Sequence, residues 1–192
     1  MCKVKAAVFA SGTGSNFQAI VEQSIANKLS YEIVLLVCDK PGAKVVRLAQ
    51  EYGIPVFVFT PKNYPGKALY EQEIKNKLRT LQVDWIFLAG YMRMIGSTLL
   101  DTYPARIVNI HPSFLPAFPG KDAIEQAYKA KVETTGVTVH FIDAGMDTGP
   151  IIKQESVRVY ENDTVETLKQ RIQQVEHTLY PKVINALVSK GV

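Results

Sequence analysis

A chain of 192 residues, 47% hydrophobic and 21% charged, is the size of one domain with a continuous core, and no stretch of it is long and apolar enough to span a bilayer. Its net charge of +4 is scattered rather than gathered in a basic block, which suits small anionic ligands and argues against a nucleic-acid surface. Cys2 and Cys38 have neither disulfide-framework nor zinc-site spacing, so free thiols and no metal are expected; the start lacks a signal peptide, which makes the cytoplasm the default location.

Lys5 to Ala10 reads as a buried strand, followed by a small-residue loop and a helix with Phe17, Ile20, Val21 and Ile25 at helical spacing. Glu32 to Cys38 is a second strand, Val45 to Tyr52 a helix stopped by Gly53, and Pro55 to Phe59 a short third strand. Tyr64 to Leu81 carries a charged helix with Leu69, Glu73 and Lys77 around an amphipathic face, and Asp84 to Ala89 is another buried strand. Gly96 to Leu100 suggests a short helix and Arg106 to Ile110 a strand. This alternation predicts a doubly wound α/β fold, a mostly parallel Rossmann-like sheet. Beyond a proline-rich loop, Ala123 to Ala130 is helical, and Thr135 to Ile142 and Ile151 to Tyr160 alternate as half-exposed strands of an antiparallel C-terminal edge. A long final helix opens at the Asp163-Thr164 cap and runs through Leu168, Ile172, Val175, Leu179, Val183 and Leu187, with a bend possible at Pro181. No repeat or linker interrupts residues 1–192, which read as a single domain.

Two segments carry chemistry in their residue types. Ser11-Gly12-Thr13-Gly14-Ser15-Asn16 lies between the first strand and the first helix, where glycines let backbone amides approach an anion and the helix N-terminus favours negative charge. No Gly-Lys-Ser/Thr follows, and Phe17 replaces the third glycine of the dinucleotide fingerprint, so Gly12 to Asn16 fits a monophosphate better than a pyrophosphate. A turn with a serine helix cap is the plain structural alternative. In Asn109-Ile110-His111-Pro112, an amide and an imidazole two positions apart at a strand end point to one side and can donate to a developing oxyanion. An ordinary strand end with a packed histidine remains the alternative for that segment alone.

A third segment, His140-Phe141-Ile142-Asp143-Ala144-Gly145-Met146-Asp147-Thr148-Gly149-Pro150, puts two carboxylates in a glycine-punctuated loop. Together with the first two and with Leu88-Ala89-Gly90-Tyr91-Met92-Arg93-Met94, it resembles the folate-dependent formyltransferases from the first strand to the last helix. Relatives acting on methionyl-tRNA typically carry an arginine-bearing segment where this chain has Ala117-Phe118-Pro119-Gly120-Lys121, with an additional C-terminal domain expected to be absent here; relatives that hydrolyse formyl-folate commonly carry a second histidine where this chain has Pro112 and an N-terminal regulatory domain, although Ser113 to Phe118 does resemble theirs.

The resemblance implies transfer of a formyl group from 10-formyltetrahydrofolate, as cosubstrate, to the amine of glycinamide ribonucleotide in purine biosynthesis. It implies catalytic roles for Asn109, His111 and Asp147, with Asp147 orienting His111 and favouring its cation. Substrate phosphate goes to Gly12, Thr13, Gly14, Ser15 and Asn16, and the amine or ribose to Glu176 with Gln173. The folate goes to Met92, Arg93, Met94 and Ile95 on one side and Ala144, Gly145 and Met146 on the other. Lys67 stands where many relatives have an arginine for the folate tail, keeping the charge but losing the bidentate fork. His140 ranks behind His111 as a second-line partner, and His177 is expected on a solvated helix face. The expected partners are small molecules, with no nucleic acid or membrane, in a monomer or homodimer. A formyl-folate hydrolase and a non-catalytic nucleotide-binding module remain as alternatives.

Overall fold

Val4–Phe9 forms β1, and its six residues are apolar but for Lys5 because the strand is covered on both sides. The computed structural model describes residues 3–26 and 31–189. After β1 come α1 (Ser15–Ala26), β2 (Tyr31–Cys38), α2 (Lys44–Glu51), β3 (Val56–Val58), α3 (Lys67–Thr80), β4 (Trp85–Leu88), α4 (Ser97–Leu100) and β5 (Ile107–His111). The second half adds α5 (Ala123–Lys129), β6 (Thr134–Phe141), β7 (Ile151–Arg158) and α6 (Val165–Ser189).

The strands make one seven-stranded sheet in the order β3-β2-β1-β4-β5-β6-β7. Pairs from β3 through β5 are parallel, and β5–β6 and β6–β7 are antiparallel. Because strand side chains alternate between faces, Ala6 and Val8 join a core with Phe17, Phe87, Ile172 and Ile184 of one side, while Ala7 and Phe9 join Ile74, Leu78, Ile86 and Leu99 of the other. Chain order reverses between β1 and β4, and at that switch point the carboxyl ends of the strands open a crevice. The loops of residues 11–14, 89–96 and 112–122 all emerge there.

Three expectations are corrected. Ile25 and Leu69 are exposed; α1 instead buries Ser24, whose hydroxyl donates to the Tyr31 carbonyl, and α3 buries Tyr70, Glu71, Ile74 and Leu78. The third is β6, which is buried on both faces rather than half-exposed. Helix α6 packs on one face, and the loop after β5 covers the other: Thr138 Oγ1 donates to the Ser113 carbonyl and accepts from Leu115 N–H, and Phe114 lies against Gly136. Pro181 sits inside α6, which continues to Ser189. Cys38 is buried and free, and Cys2 lies outside the described residues.

Helix α6 is fastened to the sheet by the fully buried Tyr180, whose hydroxyl lies 3.0 Å from the Leu88 carbonyl and 2.9 Å from that of Val108, on the adjacent strands β4 and β5. Tyr180→Phe should lower stability by about 1–3 kcal/mol, since it strands buried carbonyls without opening a large cavity. Urea denaturation followed by circular dichroism checks this; an unshifted midpoint would show the bond to be dispensable.

Candidate active site

At the carboxyl end of β5, Asn109 and His111 share a face two positions apart, and β6 brings His140 opposite Asn109. His140 is fully buried, and its Nδ1 donates to the Phe141 carbonyl at 2.8 Å. The proton is therefore on Nδ1 in the neutral ring, and Nε2 accepts from the Asn109 amide nitrogen at 3.2 Å. Burial, which disfavours the imidazolium, holds the His140 pKa below its ordinary value despite the pull of Asp147. A neutral His140 thus fixes which way Asn109 points its amide.

His111 is buried as well, with Nε2 donating to the Phe118 carbonyl at 2.9 Å and Nδ1 lying 3.4 Å from Asp147 Oδ2. Both neighbours are acceptors. Asp147 itself accepts the Gly120 N–H at 2.7 Å and lies 3.7 Å from His140 Nε2. Its backbone is left-handed, φ 55°, a conformation that Asp and Asn tolerate better than most residues. The loop before it is braced by Asp143, whose Oδ1 accepts from Gly145 N–H at 2.9 Å and Thr148 Oγ1 at 2.8 Å. Segments far apart in sequence are thereby joined around one carboxylate.

In the glycine loop, Gly12 and Thr13 are exposed and Gly14 is buried with φ 87°. A Cβ on Gly14 would stand 2.7 Å from Val45 Cγ2, and Val45 N–H donates to the Gly12 carbonyl, so the loop is seated on the start of α2. Asn16 hydrogen-bonds Glu176 of α6, while its Oδ1 is buried without a partner. Glu176 is buried, contrary to a solvated helix position, and its carboxyl is pushed up to about 7 by desolvation, against the pull of Asn16. Gln173 is half-buried on the preceding turn. His177 is half-buried rather than solvated; its Nε2 has no partner, and burial lowers its pKa.

Met92, Arg93 and Met94 are exposed after β4, as are Ala144 and Met146, with Gly145 half-buried. Ile95 differs: its side chain is buried in the core with Leu99 and Phe9, leaving only its backbone for a ligand. Lys67 is exposed at the start of α3, and its stem packs beside Gly96. Two further residues matter that the sequence motifs gave no role: Asp39, and Ser11 at the head of the glycine segment. Ser11 Oγ accepts from Met92 N–H at 2.9 Å and donates to Asp39 Oδ1 at 2.5 Å, while Arg93 Nε donates to Asp39 Oδ2 at 2.7 Å. The signal was the place of Asp39, directly after β2 on the edge where α/β sheets bind ligands. Among the described residues no group of three or more His, Cys, Asp or Glu is arranged to hold a metal ion.

The model of the formyl transferase family matches residues 4–184. The chain belongs to the formyl transferase family. Within the family, it is 54% identical over 184 residues to the phosphoribosylglycinamide formyltransferase of Bacillus subtilis, covering 96% of this chain and 94% of that one. It is 38% identical over 187 residues to the trifunctional purine biosynthetic protein adenosine-3 of Drosophila melanogaster, covering 96% of this chain but 14% of that protein. Among solved structures, the phosphoribosylglycinamide formyltransferase of Bacillus halodurans superposes with a TM-score of 0.95 at 54% identity, over 98% of this chain and 97% of that one. The doubly wound sheet with its antiparallel edge and long last helix is thus the fold of this family's members.

Glu176 supplies a prediction with a definite sign. Its folded carboxyl, at about 7 against 4.5 when exposed, is neutral more readily than the unfolded one, so stability is full below pH 4.5 and falls as pH rises toward 7. The loss approaches roughly 3 kcal/mol and levels off at higher pH. Glu176→Gln should flatten this interval in urea midpoints measured across pH; a variant as steep as the parent would assign the slope to other groups.

Proposed function

We propose that the chain transfers the formyl group of 10-formyltetrahydrofolate to the primary amine of glycinamide ribonucleotide, a step of de novo purine biosynthesis. The observation that carries this reading is the convergence of Asn109, His111 and Asp147 on one strand end, in a chain 54% identical to a relative of that name. The amine attacks the formyl carbon, the carbonyl oxygen becomes an oxyanion, and the bond to the folate N10 breaks. One proton leaves the amine and one arrives on N10, so no covalent enzyme intermediate is required.

Asn109 keeps a second amide N–H beyond the one given to His140, and that donor serves the oxyanion. His111 supplies the other donor: the Nε2–H now given to the Phe118 carbonyl is taken over by the oxyanion when substrate enters. Asp147 orients the His111 ring through Nδ1 and guides a water that carries the amine proton toward N10. Holding both substrates in one cleft contributes much of the rate, since it makes a bimolecular step effectively unimolecular.

The ribonucleotide phosphate takes the backbone amides of Gly12 to Asn16, and Glu176 and Gln173 face its amine or ribose. The pterin lies between Met92–Met94 and Ala144–Met146, with backbone groups through Ile95 reading its edge and Lys67 toward the anionic tail. The working location is the cytoplasm, and the partners are these small molecules, in a monomer or homodimer.

The deciding experiment follows formyl-folate consumption with and without glycinamide ribonucleotide and identifies the product by mass. Consumption that requires the ribonucleotide and yields its formyl derivative is the expected result; equal consumption with formate released would make the chain a hydrolase. Asp147→Asn should lower kcat by about 10²- to 10⁴-fold while leaving ribonucleotide affinity intact, because asparagine fits the left-handed backbone yet cannot pair with an imidazolium. Parent-like turnover in that variant would remove Asp147 from the mechanism.

A further inference from the structure

The segment from Met92 to Gly96 has no regular secondary structure, yet its backbone is tied at both ends to side chains it does not adjoin in sequence. At its front, Met92 N–H donates to Ser11 Oγ, Ser11 donates to Asp39, and Arg93 donates to the other Asp39 oxygen. The Asp39 side chain is only 1% exposed, so this carboxylate is given over to its two donors. Ser11 also donates its backbone N–H to the Gly90 carbonyl, which joins the glycine loop to the same segment.

At the rear, Gly96 N–H donates to Glu71 Oε1 at 2.7 Å. Glu71 is 2% exposed on α3; its second oxygen is buried with no direct hydrogen bond, and the carboxyl is further favoured by the Lys67 charge and the Leu99 backbone. A Cβ on residue 96 would stand 2.6 Å from that oxygen and 2.9 Å from Lys67 Cδ, so a side chain there would have to push the carboxyl or the lysine stem aside. Desolvation pushes the Glu71 carboxyl up, the mark of a group placed at an energetic disadvantage. A buried carboxyl with one oxygen unpartnered contributes little net stability, whereas it fixes the amide that ends the segment.

We infer that the buried carboxylates of Asp39 and Glu71 are positioning residues that clamp the two ends of the 92–96 segment in the shape that receives the pterin. The inference rests on the placement of the pterin along Met92–Met94 proposed above. A segment already held pays less ordering entropy when folate binds, so the clamp acts on folate affinity rather than on the chemical step. Ser11 begins the glycine loop as well, so the front clamp also sets the spacing between the two substrates.

Steady-state kinetics with both substrates varied tests this, alongside calorimetric Kd values for tetrahydrofolate that need no turnover. Glu71→Leu, which removes the acceptor, should raise the folate KM and Kd about tenfold, equivalent to about 1.4 kcal/mol, while kcat and the ribonucleotide KM stay within about twofold. Glu71→Gln, which keeps an acceptor oxygen for Gly96, should restore folate affinity. Ser11→Ala should raise KM for both substrates, and it carries the test if Glu71→Leu does not fold. A Glu71→Leu protein with a lower Tm but parental folate KM and Kd, or a Glu71→Gln protein as weak as Glu71→Leu, would overturn the clamp. A parent chain that binds tetrahydrofolate without transferring formyl would sink the transfer reading and leave the clamp to stand or fall on Kd; a parent chain that binds no folate would overturn both.

Discussion

The proton that His140 gives to the Phe141 carbonyl governs the reacting end of the cleft. With that proton on Nδ1, the opposite ring nitrogen can only accept, and the Asn109 amide must turn its N–H toward it. Reverse the tautomer and Asn109 would present its carbonyl to His140 and its amide differently to the cleft. The orientation of the Asn109 amide is thus set by a backbone carbonyl one residue along β6. Full burial of the ring strengthens the arrangement, because a low-dielectric surrounding opposes the imidazolium that would erase the acceptor. The two histidines beside Asp147 are consequently unlike each other: one is walled in and tied to an amide donor, the other faces acceptors on both nitrogens.

The fold makes this arrangement inexpensive to hold. The strand-order reversal between β1 and β4 opens the crevice, and the antiparallel β5–β6 pairing places His140 across from Asn109 without any contribution from loops. A loop adds the carboxylate: Asp147 arrives from the β6–β7 connection and is caught by the Gly120 amide. Helix α6 closes the other side, bringing Glu176 to Asn16 of the glycine loop while Tyr180, one turn on, fastens the helix to β4 and β5. Rigid strands therefore carry Asn109, His111 and His140, and a tethered loop carries Asp147.

Much of this was legible in the sequence because it follows from periodicity and short motifs. Short apolar runs such as Ala6–Phe9 and Trp85–Leu88, bounded by turn signals, read as strands buried on both faces, and Asn109-Ile110-His111 declares its shared face through the period of two. What the sequence did not disclose depends on contacts between distant segments. Leu69 matched a helical stripe, yet the neighbouring Tyr70 and Ile74 face the core; β6 read as half-exposed because the loop that covers its second face comes from before α5. Ile95 sits in a pterin-like motif but points into the core, and Asp39 carries no local motif at all, since its partners Ser11 and Arg93 are 28 and 54 residues away. Its position after β2 was the one available sign.

The cleft as described depends on His140 being a neutral ring with its proton on Nδ1. Long-range nitrogen-15 correlation spectra of the imidazole rings, recorded between pH 5 and 8, test it directly. His140 should show the Nδ1–H tautomer at neutral pH and become protonated only below the ordinary histidine range. A His140 ring that carries its proton on Nε2, or is already cationic at neutral pH, would contradict the orientation of Asn109 and with it the oxyanion role proposed for that amide.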